Sequence, residues 1–494
     1  MKYISIIMFG LVLFNILSSV NSSSNYLVNE EEYVELFLDD YDPLVNLKLY
    51  VDFISIRALD EIEKFSEADF YIKILINDNE FKSPIIKNKN FLYNFWNVTC
   101  DVPDNIETVD INIQLWDWNP IKSKLCDISQ SSDKDSMDVN IIYNLKTGRW
   151  YGDDSIIDDP SGYGRLNGCD DGSTYINERD CEVVFNIFTN DFDNDSLTYY
   201  VEKFVYHTDP KISNLGDDLD GDKLPIEWEH KWGYNPLIWD DHLHLDYDKD
   251  SINNYEEYLT SYFLSNPYRA DIFIEIDWME DGPDGISGIV PDDAKELMKT
   301  PFHRRNIVIH FDTGEQEGGE MIPFDDELTQ DEILDIYQKY FLHNGILDWR
   351  RGIFHYGFFV YHIKPNGYAF RGDGNPFWGY GPGTNSFIIS SRLMVRMAEK
   401  VSKPVSYIFA ASIMHEMGHN FGIRFGNPIG CDNSRTVKPW YLSFWLFRNY
   451  KSIMNYRYTY FIMDYSDGTH GRRDFNDWEK IKIDYFEQKT SINF

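Results

Sequence analysis

Three times between residues 191 and 257 this chain sets acidic residues at positions 1, 3, 5 and 12 of a twelve-residue stretch. The first copy holds Asp191, Asp193, Asp195 and Glu202. The second holds Asp218, Asp220, Asp222 and Glu229, and the third Asp246, Asp248, Asp250 and Glu257. Four carboxylates gathered into one loop repel one another, so each loop demands a cation. Calcium accepts roughly six to eight oxygens in flexible geometry, which three monodentate carboxylates and one bidentate carboxylate begin to supply. Position 7 is Leu197, Leu224 or Ile252, whose side chain can enter a core while its carbonyl faces the ion. Each copy then enters a short helical segment and closes on Asp209-Pro210, Asn235-Pro236 or Asn266-Pro267.

The repeat resembles the EF-hand-like calcium loops of thrombospondin type 3 and related extracellular modules. It departs from them at position 6, where the usual glycine is replaced by Ser196, Lys223 and Ser251. A sharp turn there costs more without glycine, and Lys223 lowers the expected affinity of the second loop.

These carboxylates are part of a larger surplus, 82 acidic residues against 45 basic ones and a formal charge of -37. Nucleic acid and anionic membrane surfaces are disfavoured as partners, because both require clusters of Lys and Arg. Residues 1–22 read as a secretory signal: Lys2, the apolar run Ile6 to Leu17, then the small polar stretch from Ser18. No later run is long enough to span a bilayer. A secreted chain is expected, and five cysteines suit an oxidising compartment. Proximity pairs Cys100 with Cys126 and Cys169 with Cys181 as disulfides, leaving Cys431 over.

At 494 residues the chain exceeds one ordinary core, so a multidomain fold is expected. Residues 23–190 read as an antiparallel β-sandwich, with strands over 47–56, 69–76, 91–98, 108–116 and 183–188. The pattern resembles calcium- or lipid-binding sandwich modules with Asp117 to Asp127 as a binding edge, and fits a plain structural sandwich better. Residues 191–269 carry the three loops, and from 270 to 494 strand and helix alternate. Strands are expected at 271–277, 306–311, 353–363 and 387–390, and helices at 292–299 and 331–341, the latter capped by Thr329.

A buried helix over about 405–421 contains His415-Glu416-Met417-Gly418-His419. Histidines at i and i+4 stand one turn apart on one face, so both imidazoles can reach one zinc ion. Glu416 is placed to take a proton from a polarised water and pass it to a leaving amine. Downstream lies Ser452-Ile453-Met454-Asn455-Tyr456. With this segment the chain resembles the metzincin zinc peptidases over roughly 270–488. The resemblance implies an α/β (α+β) zincin-like catalytic domain in which Met454 is the turn methionine beneath the metal. It also implies that Tyr456 contacts the zinc or the oxyanion, and that a helix from Asp474 to Gln488 closes the domain. The family usually takes its third zinc ligand three residues after the glycine, where this chain has Phe425. Asp432 is preferred as the replacement, with Cys431 as the alternative.

The expected function is zinc-dependent hydrolysis of peptide bonds in an extracellular protein or peptide, with calcium as stabiliser. The backbone of the strand at 353–363 is expected to pair with an extended substrate. The rival reading is a non-catalytic, calcium-dependent adhesion protein with a relic zincin domain, and retention of Glu416 speaks against a relic. A third reading makes residues 23–190 a removable pro-segment.

Overall fold

The computed structural model describes residues 41–483 apart from 104, 134–135, 155–163, 317, 364–366 and 370–384. The expected secretory segment at 1–22 lies outside the described residues.

Alternation of apolar and polar residues builds the first unit. Along Thr108–Asp117 buried positions alternate with more exposed ones, as in a strand with one face on a core and the other toward solvent. In chain order the strands are β1 (Lys48–Ala58), β2 (Phe70–Ile76), β3 (Asn79–Lys82), β4 (Phe91–Asp101), β5 (Thr108–Asp117), β6 (Lys124–Leu125), β7 (Val139–Asn144), β8 (Arg149–Gly152), β9 (Arg165–Asn167) and β10 (Cys181–Thr189). They form two antiparallel sheets, β4-β1-β10-β9 and β3-β2-β5-β7-β8, with β6 paired to β5. Leu49, Val51 and Phe53 of one sheet and Ile72, Ile74, Ile111 and Ile113 of the other belong to one core. The aspartates that bound the expected binding edge are used internally: Asp117 accepts from the Asp69 amide and Asp127 from the Ser129 amide.

The expected disulfides do not form. All five cysteines are free and buried. Cys169 donates its thiol to Asp180 Oδ2 (3.3 Å) instead of meeting Cys181. The Cys181 thiol lies against Cys126, so neighbours in sequence are not the neighbours in space.

Between the sandwich and the last unit run the three acidic loops, which lead into a single π-turn (Val201–Tyr206), α1 (Ile226–Trp232) and α2 (Asn254–Leu259). Leu197, Leu224 and Ile252 at position 7 are buried.

The last unit is a mixed sheet of β11 (Asp271–Met279), β12 (Val308–Asp312), β13 (Met321–Ile322), β14 (Phe354–Val360), β15 (Gly367–Ala369) and β16 (Ser386–Ser390), ordered β12-β11-β14-β16-β15 with β13 on β11. Only β15 runs antiparallel to its neighbour. Successive residues of β11 serve opposite faces. Ile272, Ile274 and Ile276 share a core with α3 (Asp292–His303), while Phe273 packs with α4 (Gln330–Ile336) and the turn after it. A sheet covered on both faces explains why β11, β14 and β16 are buried at almost every residue. Thr329 caps α4 in a reciprocal arrangement with Glu332. Two expectations fail here. β14 is buried at every residue and paired on both sides by β11 and β16, so it has no free edge for a substrate. No helix starts at Asp474: its carboxylate accepts from Ser466 Oγ (2.7 Å) and lies 2.9 Å from His470 Nδ1, and residues 474–482 are irregular apart from a turn at 478–480. Residues 484–488 lie outside the described residues.

Buried charges dock the sandwich onto α3. Glu182 of β10 receives Arg165 Nε at 2.6 Å and stands 2.7 Å from His303 Nδ1, with Arg57 Nε at 4.0 Å. Arg57 also pairs with Glu296 of α3, and Asn167 donates to the His303 carbonyl (2.7 Å). Burial opposes the charge on Glu182, but Arg165, His303 and Arg57 outweigh it and hold the carboxyl well below its usual range. Removing one partner of a buried network strands the others. Glu182→Ala is therefore expected to cost about 3–5 kcal/mol of unfolding free energy in a urea titration. A loss under about 1 kcal/mol, the scale of a surface pair, would contradict this account.

Candidate metal centres

From Val405 to Asn420 apolar residues fall on every side of a helical turn rather than on one stripe, and such a helix belongs inside a core. It forms α6 (Val405–Asn420), preceded by α5 (Ser391–Val401), and every residue from Ile408 to Gly418 is buried. Gly422, at φ 93°, turns the chain back after the helix. A short strand, β17 (Ile429–Asp432), then returns toward the helix, and the Asp432 amide donates to the Met454 carbonyl (3.1 Å).

The returning strand brings Asp432 to the two histidines. His415 Nε2 lies 2.9 Å from Asp432 Oδ1, and His419 Nε2 lies 3.1 Å from Oδ2. Each ring is oriented from behind. His415 Nδ1 donates to the Ile453 carbonyl (2.9 Å) and His419 Nδ1 to the Ile423 carbonyl (2.6 Å). With those protons in place, a neutral ring turns its Nε2 lone pair toward the carboxylate. Lone pairs facing lone pairs at this spacing require a positive charge between them. Without a metal the charge is protons: burial opposes them, but Asp432 overrides it and carries His415 up to about 9. His419 rises for the same reason, and Asp432 is held well below the carboxylate range. The donor set of two imidazoles and one carboxylate, with Asp432 Oδ1 lacking a hydrogen-bond partner, fits zinc.

Cys431 and Asp432 are adjacent in β17, and Asp432 takes a left-handed φ of 52° as the strand ends. Cys431 enters the core, and burial raises its thiol. Phe425 is 62% exposed. Glu416 is 9% exposed and close enough for its charge to raise both histidines and Tyr456. Tyr456 stacks on His415 with centroids 5.6 Å apart and 27° between planes, and its hydroxyl reaches Asp432. Burial first, then Asp432 and Glu416, push that phenol up. Met454 is fully buried beneath α6, and a Cβ added to Gly418 would fall inside van der Waals contact of its sulfur. Glycine at this position is what lets the methionine approach.

The three acidic loops share one hydrogen-bond scheme. The position-5 aspartate accepts from the position-7 amide: Leu197 to Asp195 at 3.0 Å, Leu224 to Asp222 at 3.1 Å, Ile252 to Asp250 at 2.8 Å. Its second oxygen accepts from a later backbone amide, that of Asn214 (3.0 Å), Asp240 (3.1 Å) or Asp271 (2.7 Å). Sequence reasoning misses these three partners, although each lies five residues after the first residue of an Asx-Pro turn. Ser196, Lys223 and Ser251 take φ values of 73°, 89° and 76°, so the left-handed turn forms without glycine. Both oxygens of Asp193, Glu229 and Glu257 are buried without hydrogen-bond partners. Oxygens left in this state fit a cation.

Burial, and then neighbouring carboxylates, raise Asp191 to about 7 and Glu202 to about 8 in the first loop. Burial likewise raises Glu229 to about 7 in the second and Asp248 to about 8 in the third. With cations chelated, the folded loops hold protons that the unfolded chain has already released above about pH 4. Stability must then fall as pH rises toward about 8, since the folded state binds more protons. Melting in chelator is expected to drop from pH 5 to pH 8, and saturating calcium to remove that slope; a slope unchanged by calcium would contradict the cation reading. A second expectation concerns Gly418→Ala, which overpacks the methionine and should cost about 1–3 kcal/mol in thermal unfolding. An unchanged melting temperature would show that the contact is loose.

The chain matches no family model. No curated protein matches it. Among solved structures, human GIVD cytosolic phospholipase A2 in complex with methyl gamma-linolenyl fluorophosphonate is similar at 13% identity over 28% of this chain, with TM-score 0.18. The chain spans 17% of the length of that phospholipase. A C2 domain protein from Ramazzottius varieornatus is similar at 8% identity over 29% of this chain and 87% of its own, TM-score 0.20. The calcium-bound tandem C2 domains of extended-synaptotagmin 2 are similar at 14% identity over 30% of this chain and 46% of their own, TM-score 0.20. Likenesses at this level fix neither a fold nor a ligand for this chain.

Proposed function

We propose that the chain is a secreted zinc metallopeptidase of the metzincin type, with EF-hand-like calcium loops that stabilise it. The observation that carries this reading is the convergence of Asp432 from β17 on His415 and His419 of one buried helix, beside Glu416. A structural metal needs no base, and Glu416 is not among the three converging residues. Zinc held by His415, His419 and Asp432 would supply the Lewis acidity that polarises a scissile carbonyl and acidifies a water.

Glu416 accepts the proton of the attacking water and delivers it to the departing amine nitrogen, which completes the exchange of a peptide bond for a carboxylate and an amine. Tyr456, beside the His415 ring and 41% exposed, presents a hydroxyl that can donate to the oxyanion as the carbonyl becomes tetrahedral. The Ile453 and Ile423 carbonyls fix the ring orientations throughout. An extended substrate pairs with β15, the edge strand of the sheet among the described residues, rather than with the enclosed β14.

Purified protein should hydrolyse a denatured protein, lose that activity in chelator and recover it with zinc. Glu416→Gln is expected to lower kcat by at least about 100- to 10,000-fold with zinc content and melting unchanged. Full activity in that variant would remove Glu416 from the chemistry. Asp432→Ala should lose zinc, whereas Cys431→Ser should keep it; the opposite pattern would make the cysteine the ligand.

A further inference from the structure

A buried histidine stands against the second acidic loop. His242, 1% exposed, stands against it with Nε2 3.1 Å from Asp222 Oδ2 and 3.9 Å from Glu229 Oε1. Despite that proximity Nε2 makes no hydrogen bond, and neither do the two oxygens of Glu229. One ligand atom from each of Asp222, Glu229 and His242 lies within 4.8 Å of the others, and all three residues are buried. The 3.1 Å between Nε2 and Asp222 matches the contacts of the His415, His419 and Asp432 cluster, with Glu229 standing farther off at 3.9 Å. His242 comes two residues after Asp240, whose amide caps Asp222. The corresponding residues of the first and third loops are Gly216 and Phe273. Of the three loops, only the second is offered a nitrogen at this position.

The ring is held in place. Trp228 and Tyr234 meet it edge-to-face, at 6.0 and 4.8 Å between centroids. Behind it the Asn254 carboxamide lies 2.9 Å from Nδ1, while Asn254 Oδ1 is buried without a hydrogen bond. Turning that carboxamide by half a revolution lets Oδ1 accept from Nδ1–H. Nε2 is then left with its lone pair facing Asp222 and Glu229, the arrangement in which a hydrogen-bonded histidine ligates a metal. Calcium selects oxygen ligands, whereas imidazole nitrogen favours zinc and other transition ions.

We infer that Asp222, Glu229 and His242 form a second transition-metal site, so that the second loop takes a zinc-like divalent ion where its two siblings take calcium. The inference rests on reading residues 218–229 as a metal loop. The test uses full-length protein carrying His415→Ala and His419→Ala, equilibrated with zinc under a large excess of calcium. This protein is expected to retain one zinc per chain. His242→Gln added to it should abolish that zinc while calcium uptake persists, and Asn254→Ala should weaken zinc by about 10- to 100-fold. Calcium uptake without zinc, or zinc unaffected by His242→Gln, overturns the inference and leaves the loop reading standing. Uptake of neither metal overturns both. If His242→Gln fails to fold, pulsed EPR of the protein with His242 intact and loaded with manganese decides. Nitrogen modulation supports the site, and an all-oxygen signature overturns it.

Discussion

Ligand facing ligand is the constraint on which this molecule depends. His415 and His419 point their Nε2 atoms at one carboxylate across distances of 2.9 and 3.1 Å, inside a core from which water is largely excluded. Such an arrangement is stable only when a cation or protons occupy the gap, because buried like-polarity groups are otherwise costly. The surrounding structure serves to hold it. A helix buried from Ile408 to Gly418 fixes the spacing of the two rings, backbone carbonyls fix their tilt, and β17 delivers Asp432 from a loop that reverses at Gly422. The methionine under Gly418 fills the space behind the helix. The acidic loops obey the same rule with harder ligands: both oxygens of Asp193, Glu229 and Glu257 are buried without hydrogen-bond partners.

Buried charge also joins the parts. Glu182 and Glu296 on either side of the junction each meet arginines that are themselves almost fully buried. A junction built from ionic partners depends on geometry more than an apolar one does, since a displaced partner leaves a bare charge rather than a looser contact. The sandwich is therefore fixed relative to α3, which packs with α6 in the same core. The orientation of the sandwich is thus linked mechanically to the helix that carries His415 and His419.

Much of this is legible in the sequence where periodicity or spacing carries the information. The strands of the sandwich that alternate over six or more residues show there within a few residues of their bounds, β7 excepted, whereas β3, β6, β8 and β9 span four residues or fewer and give alternation no room. The acid spacing marks all three loops, and i, i+4 spacing marks the two histidines. Asp432 is the preferred third ligand on sequence, and the structure places it beside them because β17 returns to the helix and is held there by the Met454 carbonyl, while Cys431 packs into the core. Three-dimensional neighbours are not legible. Pairing cysteines by nearness along the chain assumes nearness in space, and β-pairing decides otherwise. The strand at 353–363 reads as a substrate platform because it is long and aromatic, yet those same qualities mark the middle of a covered sheet. Asp474 looks like a helix cap, but Ser466 and His470 engage its carboxylate. His242 carries no sequence signal, since a lone histidine reveals its role only through what surrounds it.

Anomalous diffraction from crystals of the zinc-loaded protein, recorded on either side of the zinc absorption edge, tests the central claim most directly. A zinc peak is expected within about 2.0–2.2 Å of His415 Nε2, His419 Nε2 and an Asp432 oxygen, with Glu416 beside it and outside its coordination sphere. Zinc density elsewhere with none at this point, or Glu416 in place of Asp432 as the ligand, would contradict it.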